Sequence, residues 1–254
     1  MRVLGLRRRG VPVLAALLVS ATIAGCQTDV DPTAPATESA VPADLLLAPA
    51  DLPPGFDPAQ LSVSELVEGN GARIESAADA EVQPPFCRPT ADADLNPRLD
   101  DVNSAILAAR AASASLVELV TTAPRDIAAD IGASTGRCAV TTTIIRAGTL
   151  QGARIVTRHT RLPIPPGAQQ LSALRQSVLL RSDVTTTLPD GSATNQVGFA
   201  GYADLGRESG AVTVQLTVSG DAPPVAEPPP APEPPMSDAA FGALFDEAVA
   251  AAAR

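Results

Sequence analysis

The sequence contains no lysine and no tryptophan, and its only histidine is His159. Aromatic residues make up 2% of the 254 residues. Without lysine there is no lysine base and no Schiff-base nucleophile. Residues 43–254 contain one histidine and two cysteines, which are too few ligands for a typical zinc site. We therefore expect a protein that is not an enzyme and that uses no metal or other cofactor.

Negative charge dominates the chain. All 18 basic residues are arginines and face 28 acidic residues, which gives a net charge of -10. Four of the arginines lie in the first 25 residues, which contain no acid, so the remaining chain carries fourteen arginines, 28 acids and a net charge of -14. Such a chain is repelled by phosphate backbones and by anionic headgroups. This excess predicts no nucleic acid binding and no membrane adhesion through a basic patch.

The first 25 residues are typical of an export signal. Arginines at positions 2 and 7–9 precede an apolar run over 11–23, which is too short for an ordinary membrane-spanning helix. The run ends in Ile23-Ala24-Gly25-Cys26, which resembles the lipobox of bacterial lipoproteins. That resemblance implies cleavage before Cys26 and acylation of the cysteine, which would hold the protein at the outer face of the cytoplasmic membrane. The alternative is a plain secretory signal, and the export route stays open.

Two proline-rich stretches frame the rest of the chain. Residues 26–42 are polar and have no apolar period, so we expect a lipid anchor on Cys26 followed by a disordered tether. Residues 43–254 are predicted to form one α+β domain. Its proline-rich loop at 222–235 contains eight prolines and should be an extended spacer, with a ligand role for PxxP-binding proteins as the alternative.

The other two cysteines, Cys87 and Cys138, form an even pair in a chain predicted to be exported. An oxidising compartment favours a disulfide between them. Two buried thiols or a redox pair are the alternatives, although no Cys-x-x-Cys motif is present.

Hydrophobic spacing predicts the elements of the domain. A first strand over 61–67 and a second over 72–76 would be joined at Gly69-Asn70-Gly71. The pattern next predicts a long helix from Pro97 to about Thr121, capped by Asn96. Strands are expected over 139–147, 153–162, 178–188, 194–203 and 212–218, with a short helix over 167–176 and a helix after Ser237. The predicted fold is α+β, with an antiparallel sheet of about 5–7 strands on which the long helix and the C-terminal helix pack.

Three motifs contain residue types that are found in catalytic or binding sites. Gly132-Ala133-Ser134-Thr135-Gly136 fits the pattern of a hydrolase nucleophile, but no Asp or Glu lies between Ser134 and His159, and a turn before a strand is the better interpretation. Asp92-x-Asp94-x-Asn96 resembles the start of a calcium loop but lacks its later glycine and glutamate. His159 lies among Arg154, Arg158 and Arg161, where it could help bind an anion, although a solvent-facing strand edge explains the pattern as well.

The order of these features resembles a known type of protein. The chain contains, in this order, the lipobox, the tether, the segment LLLAPADLPPGF, Cys87 after two prolines, the predicted long helix, Cys138, the antiparallel strands and a final FGALFDEAVAAAAR helix. This order is similar to actinobacterial envelope lipoproteins related to the extracellular sensor domain of the PknH kinase.

The resemblance implies a membrane-anchored, non-enzymatic module that binds a small or lipidic ligand or acts as a sensor. The alternative is a structural lipoprotein that engages another envelope protein without a small-molecule ligand. An envelope hydrolase is the weakest of the three hypotheses.

Overall fold

One antiparallel sheet organises the molecule. The coordinates are a computed structural model that describes residues 41–208, 210–221, 231 and 233–254. The predicted leader, Cys26, nearly all of the tether and most of the proline-rich loop lie outside the described residues. The described residues belong to one compact unit.

The sheet has nine strands in the order β1-β3-β4-β9-β8-β7-β6-β5-β2. Both outermost strands are only three residues long, which limits pairing with other chains through an exposed edge. The strands are β1 Asp57–Ala59, β2 Glu81–Gln83, β3 Ser104–Ala111, β4 Ala114–Thr121, β5 Val140–Ile144, β6 Arg154–Leu162, β7 Leu174–Thr187, β8 Ala193–Arg207 and β9 Gly210–Gly220.

Helices lie on both faces of the sheet. They are α1 Val63–Ala78, α2 Ala91–Leu95, α3 Ile127–Ser134, α4 Pro166–Gln170 and α5 Asp238–Ala252. The C-terminal helix α5 packs on β8 and β9, where the rings of Phe199 and Phe241 stack with centroids 5.0 Å apart. On the other face, α1 covers β3 and β4, and α3 covers β7 and β8.

The α+β fold class and the packed C-terminal helix are confirmed, while the sheet is larger than expected. Ser237 caps α5 by accepting a hydrogen bond from the Ala240 amide, and the helix buries the apolar face that its sequence predicted. In the C-terminal half, β5 to β9 follow the predicted strands closely because each strand is flanked by clear turn residues.

The predicted long helix over 97–121 is wrong, because these residues form a short 3-10 turn and the β3–β4 hairpin. Strand β4 is apolar on both faces. Leu116 and Val120 pack toward α5, whereas Leu119 packs toward α1. A strand buried on both faces does not alternate apolar and polar residues, so its leucines and valines happen to match helical spacing.

The predicted strands over 61–67 and 72–76 are also wrong, because the segment is helix α1. Ser62 accepts a hydrogen bond from the Glu65 amide, and the Glu65 carboxylate accepts from the Ser62 amide and hydroxyl. This capping box fixes the start of the helix. Gly69 and Gly71 therefore lie inside a helix instead of forming a turn.

Candidate functional site

The disulfide joins two short turns beside the outer strands β2 and β5. Cys87 ends the turn Pro85–Cys87, and Cys138 ends the turn Gly136–Cys138. Their sulfurs are 2.06 Å apart, so the structure has the pairing that the sequence predicted. Phe86, next to Cys87, stays 59% exposed, and the Arg137 guanidinium lies 4.7 Å from its ring centroid. The disulfide thus holds an exposed aromatic ring beside a cation.

The arginines of β6 are exposed on both faces of the sheet. Arg154 and Arg158 share the face on which α5 packs, and Arg161 lies on the opposite face. The expectation that this segment is a strand edge is wrong, since β6 lies between β5 and β7. The charges are exposed because the described helices cover the middle of the sheet and leave β6 uncovered.

His159 is half-buried on the same face as Arg161. Its Nδ1 lies 2.9 Å from the Ser182 hydroxyl on the neighbouring strand β7, where the two residues are directly paired. Burial lowers the pKa of His159, so the imidazole is neutral at pH 7. Both residues lie within a strand ladder that directs backbone N–H groups along the sheet and away from the side chains. The pair therefore lacks the cluster of backbone donors that stabilises an oxyanion.

Ser134 is placed apart from this pair. It lies at the end of α3, where its hydroxyl donates a hydrogen bond of 2.5 Å to the Asp130 carbonyl. The expectation of a turn before a strand is corrected, because most of the motif belongs to a helix and a 3-10 turn follows it. A serine that donates to its own helix is explained by local structure.

A buried ionic cluster that sequence reasoning missed surrounds Arg125, whose side chain is 1% exposed. Its guanidinium donates to both Asp130 oxygens at 2.7 and 2.8 Å, to Asp92 at 2.8 Å and to Gln215 at 3.0 Å. It also stacks 4.0 Å from the centroid of the Tyr202 ring. The cluster joins α2, α3, β8 and β9.

Burial sets the titration of this cluster. It raises the pKa of Asp130, and the hydrogen bonds and charge of Arg125 offset part of that rise. Burial also raises the pKa of Tyr202, so the phenol stays neutral. Two of the three residues that resembled a calcium loop have partners within the protein. Asp92 pairs with Arg125, and the Asn96 amide donates to the Val67 carbonyl at 2.9 Å.

Glu118 is a second buried group that the sequence did not reveal. It is fully buried in β4, between Leu116 and Val120 on the α5 face. Its Oε2 accepts a hydrogen bond of 2.9 Å from the Leu47 amide, while Oε1 has no partner among the described residues. Burial raises the pKa of Glu118 to about 7. The carboxyl therefore links the N-terminal segment of the domain to the sheet through a hydrogen bond. Its charge changes near neutral pH.

The described ranges contain neither a metal-ligand cluster nor a membrane-spanning helix. Within them, His, Cys, Asp and Glu side chains do not gather into a group of three that could hold a metal ion. The helices of the same ranges are too short or too polar to cross a membrane.

Comparisons with known proteins give one similar structure. No protein-family model matches the sequence, and no curated protein matches it. The fold is similar to the X-ray structure of an uncharacterized protein from Mycobacterium smegmatis, with a TM-score of 0.41 and 16% sequence identity. The similarity covers 81% of this chain and 93% of the mycobacterial one.

Proposed function

We propose that this protein is an exported, lipid-anchored envelope lipoprotein that acts as a non-enzymatic binding or sensor-like module, of the type related to the PknH extracellular domain. Acyl chains on Cys26 would attach it to the membrane, since two or more chains give stable anchoring. The tether would hold the domain outside the bilayer. The disulfide supports export, because such bonds persist in oxidising compartments.

The observation that carries the binding role is the half-exposed part of the sheet at β5, β6 and β7. Outside the buried residues 178–180 of β7, most side chains on both faces of these strands are half-buried or exposed, and many are hydroxyls that can donate and accept hydrogen bonds. They include Thr142, Thr143, Thr157, Thr160, Thr185, Thr186 and Thr187. Stretches of sheet that are exposed to solvent on both faces add little to the stability of a fold. A binding surface, in contrast, needs such exposed side chains.

A protein-interaction role without a small ligand is the second candidate. The exposed Phe86 ring favours it, because aromatic and arginine side chains are enriched where proteins contact each other. A hydrolase receives the least support. Ser134 donates to its own helix and His159 contacts Ser182, so the serine of the motif and the histidine have separate partners.

Mass spectrometry of the protein purified from its own host tests the anchor and the ligand together. We expect an N-terminus at Cys26 with acyl chains attached, and native spectra with a bound small or lipidic molecule. A lipidated protein without any bound molecule would favour the protein-interaction role.

The Cys26→Ala form provides the control for the anchor. We expect it to lose its lipid and appear in the medium. An intact first 25 residues on protein found inside the cell would refute the proposal.

A further inference from the structure

We propose that the outer edge of the sheet at β2, β5 and β6, with the adjoining turns 84–87, 136–139 and 145–153, lies edge-on against an anionic phospholipid surface. We call this region the arginine edge. The inference deepens the proposed function, on which it rests, because a lipid on Cys26 would keep the domain beside a bilayer. It assigns the partner of the arginine edge as the headgroups of that bilayer.

Charge is segregated along the chain in a way that the net charge conceals. Residues 131–182 contain seven arginines and no Asp or Glu. The other described residues contain the remaining seven arginines and 24 acids. Because 131–182 supplies β5, β6 and the turns beside them, the positive charge collects at one side of the sheet.

Several of these arginines have no acidic partner. Arg154, Arg158 and Arg161 are exposed, and none of the ion pairs in the described part of the chain includes them. By contrast, Arg146 pairs with Glu81, and Arg181 pairs with Asp183 and Asp238. The three unpaired guanidiniums lie on both faces of β6, so they can flank the edge of the sheet when it rests on a surface.

Exposed apolar side chains occur at the same place. Five large apolar residues of the described chain are exposed, and three of them, Phe86, Val140 and Leu150, belong to the arginine edge. Phe86 and Val140 lie near one end of β5, and Leu150 lies in the loop beyond the other end. An aromatic ring and aliphatic side chains among arginines are typical of the interfacial region of a membrane.

The acidic remainder of the domain does not prevent this contact. Exposed charges separated by more than about 8 Å are largely screened at physiological ionic strength. Asp183 lies directly opposite Arg158 on β7, but its carboxylate is paired with Arg181. The unpaired arginines therefore act locally, and the expectation from net charge alone does not apply to this edge. The proposed tether, as a flexible chain of about 16 residues, would span about 20–25 Å and would let the domain turn its edge toward the membrane.

The absence of tryptophan allows a direct test with single-tryptophan reporters. The full mature chain carrying Phe86→Trp is mixed with vesicles of pure phosphatidylcholine or with vesicles of equal parts phosphatidylcholine and phosphatidylglycerol. Val102→Trp provides the matched control, because Val102 is 88% exposed and lies beside β3, on the other side of the sheet. Spin-labelled phosphatidylcholine quenches a tryptophan that touches the bilayer.

We expect the Phe86→Trp emission to shift to shorter wavelength and to be quenched in the phosphatidylglycerol vesicles only, with no change for Val102→Trp. Replacing Arg154, Arg158 and Arg161 by Gln should weaken the contact roughly five-fold per arginine. Arg73→Gln, at an exposed arginine of α1, should leave it unchanged.

Three results would overturn the proposal: no quenching in either vesicle, equal quenching in pure phosphatidylcholine, or equal quenching of both reporters. The proposal would also be overturned if soluble polyphosphate, added at matched ionic strength, abolished the quenching of Phe86→Trp. That result would show that the arginine edge binds a soluble polyanion. Flotation with pure phosphatidylcholine vesicles reports the lipid anchor separately. A chain that fails to float there refutes the anchor, while the quenching with phosphatidylglycerol still tests the edge.

Discussion

The two sides of the sheet are built differently. Strands β3, β4, β9 and β8, with residues 178–180 of β7, form the helix-covered half, which carries the hydrophobic clusters under α1, α3 and α5. The arginine edge has threonines, arginines and exposed apolar side chains instead. In the helix-covered half the side chains pack against helices, and at the arginine edge they face solvent. The difference indicates that stability resides in the helix-covered half and that the arginine edge is available for a partner.

The largest effect is expected from breaking the ionic cluster of the helix-covered half. Arg125→Met should lower the free energy of unfolding by about 3–5 kcal/mol, because it leaves the buried Asp130 without its partner. Urea unfolding measures the loss. Arg125→Met combined with Asp130→Asn should be less damaging than Arg125→Met alone, because it removes the unpaired charge. Equal losses would show that the pairing contributes little.

Removing the disulfide tests how much this covalent link at the arginine edge contributes to the stability of the protein. Cys87→Ser with Cys138→Ser should cost about 4 kcal/mol, since the bond closes a loop between residues 51 positions apart. Thermal unfolding of the variant and of the reduced native protein should agree. Two free thiols in the unreduced native protein would contradict the assigned bond.

Glu118 gives the helix-covered half a pH dependence. Its pKa is raised from 4.5 to about 7, so the folded state keeps a proton that the unfolded chain releases between these values. The stability linked to Glu118 is fully present below pH 4.5 and is lost as the pH rises through 7, by about 3 kcal/mol in total.

Glu118→Gln should remove this slope and make the protein more stable than the native form at pH 8. Denaturant unfolding from pH 4 to pH 8 measures the difference. Glu118→Leu provides the control, because it also removes the slope but leaves the Leu47 amide unpaired, and it should be less stable than Glu118→Gln by about 1–3 kcal/mol at every pH. A native profile parallel to that of Glu118→Gln would contradict the assignment.

Substitutions at two glycines of β8 compare how closely the two faces of this strand are packed. A methyl group on Gly201 would lie 2.5 Å from the Phe245 ring of α5, so Gly201→Ala should cost about 1–3 kcal/mol. On the opposite face, a methyl group on Gly198 would meet its neighbours at 3.6 Å or more, and Gly198→Ala should change stability by less than about 0.5 kcal/mol. Differential scanning calorimetry of both variants measures the contrast, and equal effects would mean that α5 does not pack closely on β8.

The C-terminal half could be predicted from sequence, whereas the N-terminal half could not. Strand β9 alternates apolar and polar residues because helix α5 covers one face more fully than the other is covered. Strand β4 is buried on both faces, and α1 has glycines inside it, so local patterns there pointed to the wrong elements. The Ser62–Glu65 capping box was the signal that could have identified α1.

Only part of the candidate site was visible in the sequence. The Cys87–Cys138 pair could be predicted because two cysteines remain in a chain expected to be exported. The arginines of β6 could be recognised from residue type alone. The partners of Arg125 come from positions 92, 130, 202 and 215, and they meet only in the folded sheet. Glu118 lies inside the predicted helix over 97–121, and its burial follows only from the placement of β4 in the middle of the sheet.

The division between core and binding surface is tested most directly by unfolding the variant with Arg154, Arg158 and Arg161 all replaced by Gln. We predict a free energy of unfolding within about 0.5 kcal/mol of the native value, because exposed arginines without acidic partners contribute little to stability. A loss of several kcal/mol, comparable with that of Arg125→Met, would contradict the account by making the arginine edge part of the structural core.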